Sequence, residues 1–256
     1  MNRLFSLALL LLGACASAHP GSPAAPARGG AVALFNGKDL SGFYTYLKPH
    51  GKNSDPNKVF TVADGVIRVS GQDFGYFATE KEYENYHLTV EFKWGDETFA
   101  PRKDKARDSG LLFHMVDEDK VWPKSHEYQI MEGMTGELIL VGGTTVDFDD
   151  SFKGRLRNPK GLSPDGKRIL SGGVKFYGRG EDWKDVLGYR GKDDVEKPVG
   201  EWNVLELICD GRSYTYVANG KTVLKCTGAD PAKGRIVLQS EGAELFFRKV
   251  ELRPLR

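Results

Sequence analysis

Short stretches in which polar and apolar residues alternate dominate the chain after residue 32. The clearest is 87–94, where alternation is unbroken and one set of side chains would share a buried face: Leu88, Val90, Phe92 and Trp94. Similar signals predict strands over 235–239 and 244–252, and a hairpin over 59–69 that turns at an Asp-Gly pair. This pattern favours a fold made of strands.

The region near the C-terminus predicts a three-stranded meander. Its runs are separated by an Asp-Gly and an Asn-Gly pair, which suit turns that need positive φ. The runs cover 203–209, 213–219 and 221–226. No convincing amphipathic helix accompanies them, and the 31 glycines fit the many tight turns of an all-β protein. We therefore predict a single all-β domain over residues 31–256.

Composition narrows the possible partners. Apolar residues make up 40% of the chain and charged residues 28%, an ordinary globular mixture. The net charge is only +1, so nothing indicates a general attraction to nucleic acid or acidic lipid. We expect no nucleic-acid partner, and a membrane contact only through the N-terminus.

The first 18 residues are typical of an export signal. Arg3 precedes an apolar run over 4–12, which is too short to span a bilayer. Two processing sites compete: residues 12–15 (LGAC) resemble a lipobox that would leave Cys15 lipidated after removal of residues 1–14, and residues 16–18 (ASA) suit ordinary secretion. Residues 19–30 read as a flexible linker. The expected location is the periplasm or outer membrane as a lipoprotein, or otherwise the exterior.

Two cysteines remain after Cys15, and export would permit a disulfide between them. Cys209 and Cys226 lie in the first and third strands of the predicted meander. Next-nearest strands are about 10 Å apart, beyond disulfide reach. We therefore predict two buried thiols.

The segment 142–200 is rich in Gly, Lys, Arg and Asp and is weakly patterned. Structureless loops of this length are uncommon in compact domains. It is predicted to form long loops with short strands, such as 173–177, folded over one face where a binding site could be built.

The densest group of polar residues runs from 107 to 132. One predicted strand there, 126–133, places Glu127 and Gln129 on one face and Tyr128 and Ile130 on the other, towards the core. Glu132 has the wrong parity for the Glu127 face unless the following glycine marks a bulge. No P-loop, dinucleotide fingerprint, HExxH, cysteine-based zinc pattern or G-x-S-x-G elbow occurs.

An ordered series of motifs resembles the 3-keto-disaccharide hydrolase family of secreted bacterial proteins. The matching segments are LFNGKDLSGF (34–43), the strand 86–94, DSGL (108–111), EYQIME (127–132), and the closing pieces WN (202–203), NG (219–220), GRIVLQ (234–239) and FRKV (247–250). The series covers about residues 33–255. Asp108 and His114 depart from the residues that are common in the family at these positions.

The resemblance implies a concanavalin A-like, jelly-roll sandwich of two antiparallel sheets that cleaves glycosides oxidised to a ketone at C3. Such chemistry needs a base for the C2 proton, a donor or metal for the enolate oxygen, and an acid for the leaving oxygen. We expect Glu127 to be the base, His114 the acid or enolate partner, and Glu132 a second acid/base group or a metal ligand. Five residues are candidate substrate contacts: Arg107, Ser109, Gln129, Lys124 and Trp122.

Several alternatives stay open at this stage. The domain could be a non-catalytic carbohydrate-binding module, since one sandwich serves many functions. It could also be an ordinary glycosidase that uses Glu127 and Glu132, although their spacing on one strand argues against this. A divalent cation is possible but unassigned, and an acidic loop offers oxygen ligands at Asp147, Asp149 and Asp150. In every case the expected partner is an oligosaccharide or glycoside.

Overall fold

The computed structural model describes residues 30–176 and 183–255. The predicted signal peptide, most of the linker and Cys15 lie outside this range, so export and lipidation stay predictions. Within the described residues, no helix is long and apolar enough to cross a membrane.

Strands account for nearly all the regular structure of the described chain. In chain order they are β1 (Val32–Ala33), β2 (Phe43–Leu47), β3 (Gly51–Lys52), β4 (Phe60–Ala63), β5 (Val66–Val69), β6 (Gly75–Thr79), β7 (Tyr86–Thr98), β8 (Asp108–Val116), β9 (Lys124–Met131), β10 (Leu138–Val141), β11 (Val146–Asp147), β12 (Arg168–Ile169), β13 (Gly172–Val174), β14 (Asn203–Asp210), β15 (Ser213–Ala218), β16 (Lys221–Cys226), β17 (Arg235–Ser240) and β18 (Ala243–Pro254). Two short 3-10 helices cover Asp150–Phe152 and Pro159–Gly161.

These strands form two large antiparallel sheets. The first has the order β16-β15-β14-β7-β18-β5-β4, with β1 also paired to β18. The second has the order β13-β10-β9-β8-β17-β6-β2-β3, and β11 pairs with β12 in a small separate sheet. The predicted all-β sandwich of two antiparallel sheets is confirmed, as is the meander of β14, β15 and β16.

Aromatic and aliphatic side chains from both sheets fill the space between them. Tyr128 of the second sheet stacks on Tyr216 of the first with ring centroids 4.1 Å apart. Phe77 meets Phe247 across the same gap, edge to face at 5.9 Å. All four apolar positions predicted for the strand at 87–94 are buried in this core. Alternation along β7 thus gives the sheet one buried and one outer face.

The hairpin turns have the backbone that their sequences predict. Asp64 and Gly65 both have positive φ, at 52° and 76°, and so do Asn219 and Gly220, at 48° and 80°. Two consecutive residues of positive φ define the turn that matches the twist of a tight hairpin. These turns fix the register of β4 with β5 and of β15 with β16.

The weakly patterned segment 142–200 is largely loop, as predicted. It contains β11, β12, β13 and the two 3-10 helices, and the rest of its described part forms no regular structure. The predicted short strand at 173–177 is observed as Gly172–Val174, and Tyr177 lies outside the described residues.

Cys209 and Cys226 are free and buried, which confirms the predicted pair of thiols. Tyr214 of β15 is the cross-strand partner of both, so a whole strand separates them. Burial raises the pKa of the Cys226 thiol to about 12, and it also raises the pKa of the Cys209 thiol well above its ordinary value.

We expect neither thiol to react with a disulfide reagent such as DTNB in the native protein. Both should react fully in guanidinium, because only unfolding exposes and ionises them. Comparison with the Cys209→Ser/Cys226→Ser double variant separates their signal from that of Cys15. Absence of reaction in denaturant, reversed by a reductant, would instead show a disulfide.

Candidate active site

The outer face of the second sheet, which we call the site face, carries a group of polar and aromatic side chains. Register places Gln129, Gly110, Gln239, Tyr76 and Tyr46 opposite one another on β9, β8, β17, β6 and β2. A neighbouring row runs across the same strands: Glu127, Leu112, Val237, Ala78 and Tyr44. Polar groups therefore cluster on β9, β8 and β17, and aromatic rings on β6 and β2.

Gly110 lies in the middle of the polar group, and we call the point on the site face where a side chain would stand on it the Gly110 hollow. A Cβ atom at this position would collide with Gln239 Oε1 and would lie 2.5 Å from Glu127 Oε1. Among the described residues, the buried Gln239 Oε1 has no hydrogen-bond partner. The missing side chain therefore lets two oxygens converge over the Gly110 backbone, and the unpartnered Gln239 oxygen could accept a hydrogen bond from a substrate on the site face.

Three carboxyl groups surround this hollow, and each has a raised pKa. Glu127 is only 5% exposed; burial raises its pKa well above the usual range, and the Glu241 charge raises it further. Burial also raises the pKa of Glu241 to about 7. Burial raises the pKa of Asp108 well above its ordinary value, and the charges of Glu241 and Glu127 raise it as well. Like charges in a water-poor site resist joint ionisation, so the group retains protons near neutral pH.

Two arginines oppose this negative charge. Arg102 Nε lies 3.6 Å from Asp108 Oδ2, while its Nη1 and Nη2 donate to Asp185 at 3.0 and 2.7 Å. Arg157 donates to Glu137 at 2.8 Å, and its charge lowers the pKa of Glu127. Both Asp185 and Arg157 come from the segment 142–200, which was predicted to fold over one face.

Three of the predicted site residues lie together here. Glu127 and Gln129 share the site face of β9, and Gln129 Nε2 donates to Asp108 Oδ1 at 2.9 Å. Trp122 is 45% exposed, and its Nε1 donates to Glu241 Oε1 at 3.3 Å. The structure therefore joins the predicted carboxylate, the predicted amide and an exposed aromatic ring.

His114 does not join them, and its predicted role as acid or enolate partner was wrong. A bulge in β8 gives His114 a φ of 52° and turns its ring into the core between the sheets. There its Nδ1 is 2.9 Å from Tyr214 Oη, and the ring packs edge-on against Tyr86 of the first sheet. Burial lowers the imidazole pKa to about 3, so the ring is neutral.

Arg107 and Glu132 also lie away from the site face, where they bind each other and neighbouring backbone groups. Arg107 Nη1 donates to Glu132 Oε1 at 2.9 Å, and Arg107 Nε donates to the Gly95 carbonyl of the first sheet at 2.9 Å. Glu132 Oε2 accepts from the Gly188 N–H at 3.0 Å. The predicted sugar contact of Arg107 and acid/base role of Glu132 are therefore corrected to a buried ion pair that holds a loop.

Ser109 lies on the core-facing parity of β8, so its prediction as a substrate contact was wrong, whereas that of Lys124 stays a prediction. Ser109 is fully buried, and its hydroxyl donates to the Gln239 carbonyl at 3.1 Å. Lys124 is the half-buried first residue of β9.

Comparison with known proteins gives this site a context. A family model described as the 3-keto-alpha-glucoside-1,2-lyase-like domain matches residues 30–253, nearly the entire described chain. The chain belongs to this family. No curated protein matches the sequence.

Solved structures support the fold assigned to this family member. Two structures from Parabacteroides distasonis ATCC 8503, both described as a "putative glycosyl hydrolase", share 21% identity with it and superpose with TM-scores of 0.55 and 0.52. The alignments cover 89% and 88% of this chain, and 94% and 100% of those chains. At this identity the likeness speaks for the sandwich fold alone.

Three site residues of this family member were missing from the predicted set: Asp108, Glu241 and Arg157. Alternation could have found Glu241, because Val237, Gln239 and Glu241 follow the same parity at the end of β17. Asp108 has the parity of Gly110 and could have been found likewise. Arg157 lies in an irregular loop, and no local pattern indicates where its side chain points.

The possible divalent cation has no assigned place. In the described ranges, no group of three His, Cys, Asp or Glu side chains is arranged to hold a metal ion. The predicted acidic loop is engaged otherwise: Asp147 pairs with Arg168, Asp149 caps a 3-10 helix and Asp150 pairs with Lys153.

The hollow at Gly110 allows a direct test of the site without removal of any functional group. We expect Gly110→Ala to lower kcat/KM about 100-fold or more, because the added methyl displaces both oxygens that face the hollow. The measurement is steady-state cleavage of a 3-keto-disaccharide, with thermal unfolding recorded alongside.

Gly95→Ala is the matched control, because its added methyl also meets a carboxylate, that of Glu244, but on the first sheet. This variant should retain full activity. Equal losses in both variants would show that strain in the sandwich, and not the hollow, limits activity.

Proposed function

We propose that the protein cleaves glycosides that carry a ketone at C3, by removal of the C2 proton and elimination of the C1 substituent. The observation that carries this proposal is the set of three raised-pKa carboxyl groups around the Gly110 hollow, with Arg102 near Asp108 and the Arg157 charge acting on Glu127. Elimination of this kind needs one ionised and one protonated group beside the same sugar ring, together with positive charge for an enolate.

The chemistry balances without a redox partner. The C3 ketone acidifies the C2 proton, and a carboxylate removes it to give an enolate. The electron pair then forms the C1–C2 double bond as the C1–O bond breaks, and the leaving oxygen takes a proton from a carboxylic acid. Water can add across the double bond to return a 3-keto sugar.

Glu127 is the proposed base. Its carboxyl borders the hollow; burial raises its pKa, so its ionised form is a strong base, and the nearby Arg157 charge opposes that rise. The same guanidinium would stabilise negative charge that develops on the C3 oxygen. When Glu241 holds a proton, its repulsion of Glu127 is absent and Glu127 ionises more readily.

Glu241 is the proposed acid. With a pKa of about 7 it holds its proton through the acidic and near-neutral range. Its carboxyl lies on the side of the hollow where Trp122 donates to it. Asp108 and Gln129, which are bonded to each other, are placed to orient sugar hydroxyls.

The experiment compares a 3-keto-disaccharide with its unoxidised parent, each incubated with the purified protein with and without EDTA, and follows the released sugar. Release from the keto form alone is the expected result. Release from both forms would indicate an ordinary glycosidase. Release from neither, under any metal condition, would favour a carbohydrate-binding module.

A further inference from the structure

The aromatic half of the site face is covered, although it lies on the outer side of its sheet. A small apolar cluster there is separate from the main core, and its members are Tyr44, Tyr76, Ala78, Leu112, Met115 and Val237. Tyr44 is 7% exposed and the other five are fully buried. The outer face of a sheet is solvated unless something lies on it. The β8–β9 loop, residues 117–123, contacts this cluster through Asp119.

Asp119 fastens the β8–β9 loop to three strands of the sheet. Its Oδ1 accepts from Tyr44 Oη at 2.6 Å and from Tyr76 Oη at 2.8 Å, and its Oδ2 accepts from Lys52 Nζ at 2.9 Å. We call these four residues the Asp119 clamp. Burial raises the pKa of Asp119, but the three bonds outweigh burial and hold that pKa below its ordinary value. The clamp therefore stays ionised and closed near neutral pH.

Three residues after Asp119, the same loop brings the Trp122 indole to the proposed acid. Trp122 Nε1 donates to Glu241 Oε1 at 3.3 Å, and the ring meets Phe74 edge to face with centroids 6.3 Å apart. Because the indole is largely exposed, packing alone does not fix it. Its position depends on the loop that carries it.

The contact with Trp122 is distinctive among the surroundings of Glu241. The charged groups that face Glu241 are the Arg102 guanidinium and the carboxyl groups of Glu127 and Asp108. Within residues 30–176 and 183–255, Trp122 is the one residue that donates a hydrogen bond to this carboxyl. An N–H donates to the oxygen that carries no proton, so the acid proton is directed to Oε2.

We propose that the Asp119 clamp and Trp122 position the proposed acid: the clamp holds the β8–β9 loop on the site face, and the Trp122 N–H then fixes the Glu241 carboxyl with its Oε2 free to protonate the leaving oxygen. This inference rests on the proposed function. Asp119 and Trp122 act through Glu241 and are positioning residues.

The test follows the pH at which kcat/KM for a 3-keto-disaccharide falls. A hydrogen bond from a neutral donor favours the ionised carboxylate, so its loss raises the pKa of Glu241. Trp122→Phe keeps an aromatic ring and removes the N–H, and it should move the falling limb about one unit to higher pH. General destabilisation of the sandwich would lower the whole profile without moving this limb. A limb that stays in place in Trp122→Phe would overturn the proposal.

A double-mutant cycle tests whether the clamp controls this contact. Asp119→Ala releases the loop, so the further change Trp122→Phe should move the limb little in that background. Asp119→Asn keeps an oxygen for both tyrosine hydroxyls and should retain most of the movement. If Asp119→Ala does not fold, the Tyr44→Phe/Tyr76→Phe variant replaces it, because it removes two of the donors and keeps the apolar cluster. Equal movement with and without a closed clamp would overturn the proposal.

Asp55→Ala is the matched control for Asp119→Ala. Asp55 also fixes a loop, by accepting from two backbone N–H groups at 2.8 and 2.9 Å, but this loop leads into β4 of the first sheet. In the Asp55→Ala background, Trp122→Phe should move the limb as far as it does in the wild type.

NMR supplies a readout that does not depend on turnover. The Trp122 indole N–H signal, identified by its absence in Trp122→Phe, should shift with pH around 7 in the wild type and not in Glu241→Gln. The size of this shift should fall in Asp119→Ala. If the wild type cleaves no substrate but the signal behaves in this way, the proposed function fails and the positioning contact stands. An indole signal that does not titrate, or that titrates equally in wild type and Asp119→Ala, would overturn the proposal.

Discussion

Replacing Glu127 by glutamine is expected to lower kcat/KM for a 3-keto-disaccharide by about 10²–10⁴-fold, the contribution of a well-placed general base. The substitution keeps the size of the side chain beside Gly110 and removes only its capacity to take a proton. Because proton removal comes first, a better leaving group should not restore the rate. A 4-nitrophenyl 3-keto-glycoside should be cleaved as poorly as the disaccharide.

Exchange of the C2 proton gives the most direct measurement. In D₂O the wild type should place deuterium at C2 of unreacted substrate or product, and Glu127→Gln should not, as followed by NMR. Glu206→Gln provides the control, because Glu206 lies on the first sheet, where it pairs with His87. Deuterium incorporation by Glu127→Gln at the wild-type rate would remove Glu127 from the role of base.

The position of Glu127 could be predicted because it depends only on strand periodicity. Alternation places Glu127 and Gln129 on one face and sends Tyr128 and Ile130 into the core, as the structure shows. The Asp-Gly and Asn-Gly turns likewise follow from local backbone preference. Side-chain orientations that alternate every two residues can be predicted from the sequence, because the buried face fixes the register of the strand.

His114 shows where such reasoning fails. One extra residue in β8 breaks the period, so a histidine that simple counting leaves free to face the site turns instead to the aromatic core. No turn-forming glycine or proline marks this bulge in the sequence. The same limit applies to Arg157 and Asp185, since a long loop can reach any part of the sheet and only tertiary packing decides which part.

Glu241 illustrates a different limit, because its proposed role depends on carboxyl groups that only the folded sheet brings together. It is distant in sequence from Glu127 and Asp108, yet β17 lies beside β8 and brings all three carboxyls to one hollow. Its raised pKa depends on burial and on the surrounding charges. The sequence therefore predicts the position of Glu127, whereas the proximity of Glu241 becomes visible only from the order of the strands in the sheet.

Replacing Glu241 by glutamine is expected to lower kcat/KM for the disaccharide by about 10²–10⁴-fold, because the leaving oxygen loses its proton donor. A 4-nitrophenyl leaving group needs little protonation, so cleavage of the 4-nitrophenyl 3-keto-glycoside should return close to the wild-type rate. This rescue separates the acid from the base, since Glu127→Gln should show none. Rescue of Glu127→Gln in place of Glu241→Gln would mean that the two roles are exchanged.

The pH dependence provides an independent check with a definite sign. In the wild type, kcat/KM for the disaccharide should fall as pH rises through about 7, where the Glu241 carboxyl loses its proton. In Glu241→Gln, measured with the activated substrate, this falling limb should disappear. The rising limb, which follows the ionisation of Glu127, should stay in place, because glutamine mimics the neutral form of Glu241 and leaves the ionisation of Glu127 as it is in the active state. Persistence of the falling limb in Glu241→Gln would assign the ionisation near pH 7 to another group.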